Sequence, residues 1–387
     1  MIDRLVSPRK NSSFFLFGAR GTGKTYFLER YLDPKHTLGI NLLDPEEETT
    51  FALNPNELRS RLQRLNTQTQ WVFIDEIQKV PKLLNLVHHL IEKTSLRFAL
   101  TGSSARKLKR GGANLLAGRA FIYELFALTA QELGNEFDLD QALMWGTLPK
   151  IFSYSDSADK SQYLRAYANT YLKEEIAEEQ IVRKLDPFRR FLQVAAQSSG
   201  QVLNFSKLAR DVGVSTKTLQ SYFQILEDTL LGRFVLPFHE SVRKRQTGNP
   251  KFYFFDHGVK RALDRTLNVP LLPQTYEYGN AFEHFVVNEI HRLQVYHQLD
   301  YELSYLRTHD NAEIDLIIER PGLPRALIEI KSTEHIREQD LRHLISLGKD
   351  IPSQQSLCLS RDPHPKVIEG VACLPWRRAL VELGLER

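Results

Sequence analysis

Gly18-Ala19-Arg20-Gly21-Thr22-Gly23-Lys24-Thr25 follows an apolar run and precedes a segment with helical spacing. Glycines let such a loop turn its backbone N–H groups toward a phosphate, and the start of the next helix adds its positive end. Lys24 can reach the β and γ phosphates, and the Thr25 hydroxyl can bind magnesium. The residues from Gly18 to Thr25 are therefore expected to hold ATP with Mg2+. The alternative is a flexible glycine-rich turn that matches by chance.

Fifty residues beyond Thr25, the run WVFI ends in Asp75 and Glu76. At a strand's C-terminal end such a pair can face a bound phosphate. Asp75 suits the magnesium shell, and Glu76 suits orienting and partly deprotonating an attacking water. A solvated strand edge is the competing explanation. The run RFALTG then leads into Ser103 and Ser104; these and Thr101 either hydrogen-bond the γ phosphate or its water, or cap a helix. Arg119 can act as an arginine finger in trans within a homo-oligomer, or form a surface salt bridge.

A second set of polar residues lies near the C-terminus: Glu283 in an amphipathic helix, Asp315 in AEIDLII, and Glu329 and Lys331 in ALIEIKS. Strand alternation puts Glu329 and Lys331 on one face, with Ile328 and Ile330 opposite. Glu283, Asp315 and Glu329 can gather around a divalent metal, with Lys331 stabilising charge or poising water. The rival accounts are a site kept for binding and a structural ion pair. The spacing of His291, His297, His309, His335 and His343 makes no compact zinc set.

These groups need elements to position them. Around the glycine loop the order is strand, loop, helix, and apolar strands then alternate with helices, which predicts a mostly parallel sheet covered by helices. Residues 140–200 are helical in rhythm. From Phe205 a short helix, a turn at Gly213 and a second helix begun by Ser215 precede the strands GRFVLPF and KFYFFD, a winged helix-turn-helix in outline. Arg210, Ser215, Lys217, Thr218, Gln220 and Ser221, with Arg243, Lys244 and Arg245 in the wing, can meet DNA; many such modules instead serve packing or dimerisation.

The whole chain sets outer limits. It has 387 residues, 42% of them hydrophobic, and a net charge of +4, which excludes a fibre, a disordered tail or a small stapled domain and is too small to name a partner. Cys358 and Cys373 are its only cysteines, so no disulfide framework is expected and a reducing, cytoplasmic setting is. No run is long enough to span a bilayer, and the short apolar run before GARGTGKT argues against a cleavable signal.

With GARGTGKT at 18–25, FIDEIQKVP at 73–81, LTGSSARKL at 100–108 and LAGR at 116–119, the chain resembles AAA-type ATPases fused to a C-terminal domain of unassigned function. The likeness extends through YLKEEI, the winged-helix segment and KFYFFDHGVKRAL. It implies phosphate and magnesium roles for Lys24 and Thr25, magnesium and water roles for Asp75 and Glu76, a sensor role for Ser103 and a finger role for Arg119. Asp315, Glu329 and Lys331, with Glu283 on the preceding helix, resemble the PD-(D/E)xK nuclease signature, although no proline precedes Asp315.

The expected fold class is α/β: a P-loop NTPase sheet domain over 1–135, a helical linker over 136–200, a winged helix-turn-helix over 201–270 and a restriction-endonuclease-like domain over 271–387. The expected function is magnesium-dependent ATP hydrolysis coupled to DNA binding or metal-dependent DNA cleavage. The alternative is an ATP-gated regulatory or oligomerising switch that binds partners without cutting. For a metabolic kinase, no pocket for a small acceptor is legible in the chain.

Overall fold

The apolar runs of the N-terminal third become five strands: β1 Ser13–Phe17, β2 Thr37–Asn41, β3 Trp71–Asp75, β4 Arg97–Gly102 and β5 Ala120–Glu124. Their order is β2-β3-β4-β1-β5, and every pairing is parallel. β1 and β3 are buried along their whole length, as a sheet covered on both faces requires. Because β1 adjoins β4 and β4 adjoins β3, three C-terminal strand ends lie side by side. These ends carry the glycine loop, Asp75 and Thr101.

The computed structural model describes residues 2–65, 67–103, 118–171, 185–240, 248–352 and 354–386. Ser104, the Leu116 and Ala117 of LAGR, most of YLKEEIAEEQIVRKL, and Arg243, Lys244 and Arg245 lie outside them. The chain forms two compact units. One comprises residues 1–128, 148–150 and 228–231; the other takes the remainder.

In the first unit the helix Leu83–Lys93 sets Leu83, Leu84, Val87 and Leu90 into a core with Phe15, Phe17, Val72, Ile74 and Leu100. That spacing is the apolar stripe of an amphipathic helix. The acidic DPEEE starts the helix Pro45–Leu53. Asp44 caps it by accepting from Glu46 N at 2.9 Å, Pro45 takes the first turn, and three glutamates meet the helix's positive end.

The second unit contains the expected helices Phe205–Val212 and Thr216–Asp228, joined through Gly213 in the left-handed region at φ 78°. Asn204 and Ser215 cap them, accepting from Lys207 N at 3.0 Å and Thr218 N at 3.1 Å. β6 Gly232–Pro237 and β7 Lys251–Phe254 come next as an antiparallel pair.

This pair belongs to a larger sheet. Leu236 and Pro237 of β6 pair in parallel with Ser304 and Tyr305 of β8 Glu302–Arg307. A single eight-stranded sheet results, order β12-β13-β11-β10-β9-β8-β6-β7, with β9 Glu313–Glu319, β10 Arg325–Lys331, β11 Gln354–Ser360, β12 Lys366–Ile368 and β13 Val371–Pro375. The segments expected as 201–270 and 271–387 thus share one sheet, because backbone pairing between distant stretches of chain joins them. Residues 129–147 also belong to this compact unit. The 21-residue helix Tyr276–Tyr296 packs on β10. Cys358 and Cys373 face each other across β11 and β13 as buried free thiols. Among the described residues no helix is long and apolar enough to cross a membrane.

Buried Asp256 organises one end of this unit. Its carboxylate caps the helix His257–Leu263 by accepting from Val259 N at 3.0 Å, and it accepts from Thr147 N at 2.7 Å. Asp256→Ala would leave two buried donors without their acceptor. It is expected to lower unfolding free energy by about 2–4 kcal/mol in urea titration, whereas a loss below about 0.5 kcal/mol would contradict this role.

Candidate functional site

The glycine loop is shaped by backbone constraints its sequence satisfies. Gly21 and Gly23 lie at φ 80° and 91°, in the left-handed region, and a Cβ on Gly18 would sit 2.3 Å from Leu125 O. Thr22 folds the loop on itself, donating from Oγ1 to Ala19 O at 2.8 Å. Arg4, a residue that sequence reasoning passed over, clamps the loop from outside. Its guanidinium donates to Thr22 O at 2.8 Å and Phe126 O at 2.6 Å. Arg20 is exposed.

Lys24 and Thr25 begin the helix Lys24–Tyr31. The Lys24 ammonium is buried, donates to Gly18 O at 2.8 Å and lies 3.8 Å from Glu76 Oε1. Thr25 Oγ1 donates to Asp75 Oδ2 at 2.8 Å, so a hydroxyl and a carboxylate from neighbouring elements stand together. Asp75 is 1% exposed, and its other oxygen accepts from the Thr101 hydroxyl. Burial pushes its carboxyl up from the ordinary range, opposed by the hydrogen bonds from Thr101 and Thr25.

Glu76 follows in the left-handed region at φ 56°, which turns its side chain toward Lys24. Its backbone N–H donates to Thr101 Oγ1 at 3.0 Å. Gln78 donates to the Glu76 carboxylate and lies 3.2 Å from Ser103 Oγ, linking the expected water-activating and sensor residues. Gln78 was also missed; only its place two residues after an acidic pair hinted at it. Leu28, Ile40, Phe73, Thr25 and Asp75 border a cavity of ≈ 440 Å³, which the sequence did not reveal. Arg119 is bound to Glu92 of its own unit, with Nε donating to Oε1 at 2.9 Å.

The paired oxygens of Thr25 and Asp75 fit a hard divalent cation such as magnesium, which supplies charge neutralisation when bound with the nucleotide.

The structure also brings Glu283, Asp315, Glu329 and Lys331 into one electrostatic cluster. Lys331 Nζ lies 2.5 Å from Glu329 Oε1, as strand alternation requires. Asp315 Oδ2 accepts from Ile330 N at 2.7 Å. Burial, then the charges of Glu329 and Glu283, push the Asp315 carboxyl well up; burial chiefly pushes Glu329 up. Three residues missing from the sequence reading, Lys251, Tyr253 and Glu313, enter here. Lys251 Nζ lies 3.1 Å from Glu283 Oε1 and 2.5 Å from Glu313 Oε1, and Tyr253 donates to Glu283 at 2.6 Å. Among the described residues, no group of three or more His, Cys, Asp or Glu side chains is arranged to hold a metal ion.

Family models match an AAA domain over residues 10–134, a domain of unknown function (DUF8612) over 136–269 and another (DUF4143) over 278–378. The uncharacterized protein Rv2008c of Mycobacterium tuberculosis is 30% identical over 327 residues, covering 82% of this chain and 70% of its own. This chain belongs to that family of AAA-domain proteins. An uncharacterized protein of Haemophilus influenzae is 23% identical over 71% of this chain and 73% of its own. A solved structure of the Aeropyrum pernix ORC1 protein in complex with DNA is 14% identical and covers 66% of this chain and 87% of that one; its TM-score of 0.27 is too low to carry an argument. The AAA match encloses Lys24, Thr25, Asp75, Glu76, Ser103 and Arg119, and an AAA domain implies nucleotide binding.

Arg4→Ala removes the outer clamp while leaving every glycine in place. It is expected to weaken ATP binding about 5- to 30-fold by calorimetric titration, from the loss of two hydrogen bonds. Unchanged affinity would remove Arg4 from the loop's support.

Proposed function

We propose that the first unit hydrolyses ATP with magnesium and that this turnover switches the second unit's engagement of DNA. The observation that carries the reading is the convergence of Lys24, Thr25, Asp75 and Glu76 at adjoining strand ends. Loop N–H groups and Lys24 hold the β and γ phosphates, and Thr25 and Asp75 hold magnesium. Glu76, oriented by Gln78, accepts a proton from the attacking water. Ser103 reports the γ phosphate through Gln78. Arg119 of one copy, released from Glu92, serves as a finger for another in a homo-oligomer.

The DNA part draws on the helix-turn-helix. Arg210, Lys217, Gln220 and Ser221 are exposed, while Leu219, Phe223 and Leu226 are buried. Phosphates and base edges can meet such a polar helix face, and β6 with β7 would form the wing. A second reading, DNA cleavage at Asp315, Glu329 and Lys331, is favoured by their gathering with Glu283.

Glu76→Gln is expected to slow ATP turnover 100-fold or more, roughly the contribution of a general base, while ATP still binds; Lys24→Ala should abolish both. Undiminished turnover in Glu76→Gln would refute its role. Reversing charge at Arg210 and Lys217 together should weaken duplex DNA binding about tenfold or more and flatten its salt dependence, measured by fluorescence anisotropy.

A further inference from the structure

A carboxylate cluster shaped for a cation can be filled by a metal ion or by a side-chain ammonium. Glu283, Glu313, Asp315 and Glu329 supply the carboxyl groups of this cluster in the second unit. Lys251, only 2% exposed, sets its ammonium against two of them, 3.1 Å from Glu283 and 2.5 Å from Glu313, with the Tyr305 ring centroid 5.5 Å away. Tyr253, two residues along the same strand and so on the same face, adds its hydroxyl to Glu283. Lys331 takes Glu329, and the backbone of Ile330 takes Asp315.

An ammonium so deeply buried survives only where opposite charges surround it. Here Glu283 leads the groups that keep Lys251 charged against its burial. Among the described residues, the buried Glu329 Oε2 has no hydrogen-bond partner, which marks a cation-seeking point of the cluster.

We infer that Lys251 is the resident cation of this cluster, standing where a divalent metal would have to bind, so that the second unit engages its partner without metal-dependent cleavage. The inference bears on the second reading alone; ATP turnover at Lys24 and Glu76 proceeds whether or not it holds.

The test is a Mn2+ titration of the full chain without nucleotide, followed by calorimetry and thermal unfolding, comparing wild type, Asp315→Asn and Lys251→Met. Wild type and Asp315→Asn are expected to bind Mn2+ alike, with the same shift in Tm and no Mn2+-dependent nicking of plasmid DNA. Lys251→Met is expected to gain one Mn2+ per chain and a Tm increase of about 5 °C at a hundredfold excess over the dissociation constant. A wild-type Mn2+ site lost in Asp315→Asn, or nicking lost in Lys331→Ala, would overturn the inference. So would a folded Lys251→Met that gains no Mn2+. If that variant does not fold, the comparison of wild type with Asp315→Asn decides alone.

Discussion

A buried carboxylate must find donors for its oxygens, and the first unit is arranged around how Asp75 finds them. Both oxygens are satisfied by threonine hydroxyls, Thr25 from the helix after β1 and Thr101 from β4. Those bonds offset a desolvation cost that otherwise favours the protonated acid. They also fix the distance between the glycine loop and the end of β3. Thr101 works twice, since its oxygen accepts from Glu76 N and sets the turn that aims Glu76 at Lys24. The proposed hydrolysis depends on this chain of contacts, because a water-activating group misplaced by about 1 Å loses much of its effect.

The two polar centres treat their lysines differently. Lys24 bonds to Gly18 O of its own loop and lies at the longer distance of 3.8 Å from a carboxylate, contacts that incoming phosphate oxygens can replace. Lys251 and Lys331 sit against carboxylates at 2.5 Å. A ligand at Lys251 would first have to break close ion pairs in a buried setting, where each separated charge is expensive.

Much of this was legible in the sequence where the signal is local. The glycine loop, the strand ends carrying Asp75 and Thr101, the paired helices around Gly213 and the shared face of Glu329 and Lys331 all follow from short-range spacing. The helix at Pro45, begun by Asp44, Pro45 and three glutamates, was not read from the sequence, where the next helix was placed over NPNELRSRLQRLN. Arg4, Gln78 and Lys251 make contacts that no periodicity marks. Tyr253 was hidden among consecutive aromatics that read as strand core. The pairing of β6 with β8, which merges two expected domains into one sheet, is a long-range backbone contact that local pattern does not encode.

The most direct test of the central role of Asp75 is the affinity for ATP with and without magnesium, in wild type and in Asp75→Asn, with folding checked by circular dichroism. Magnesium should strengthen ATP binding in wild type, and in a folded Asp75→Asn variant that gain should largely disappear. A variant that is folded and keeps the full magnesium dependence would contradict the account.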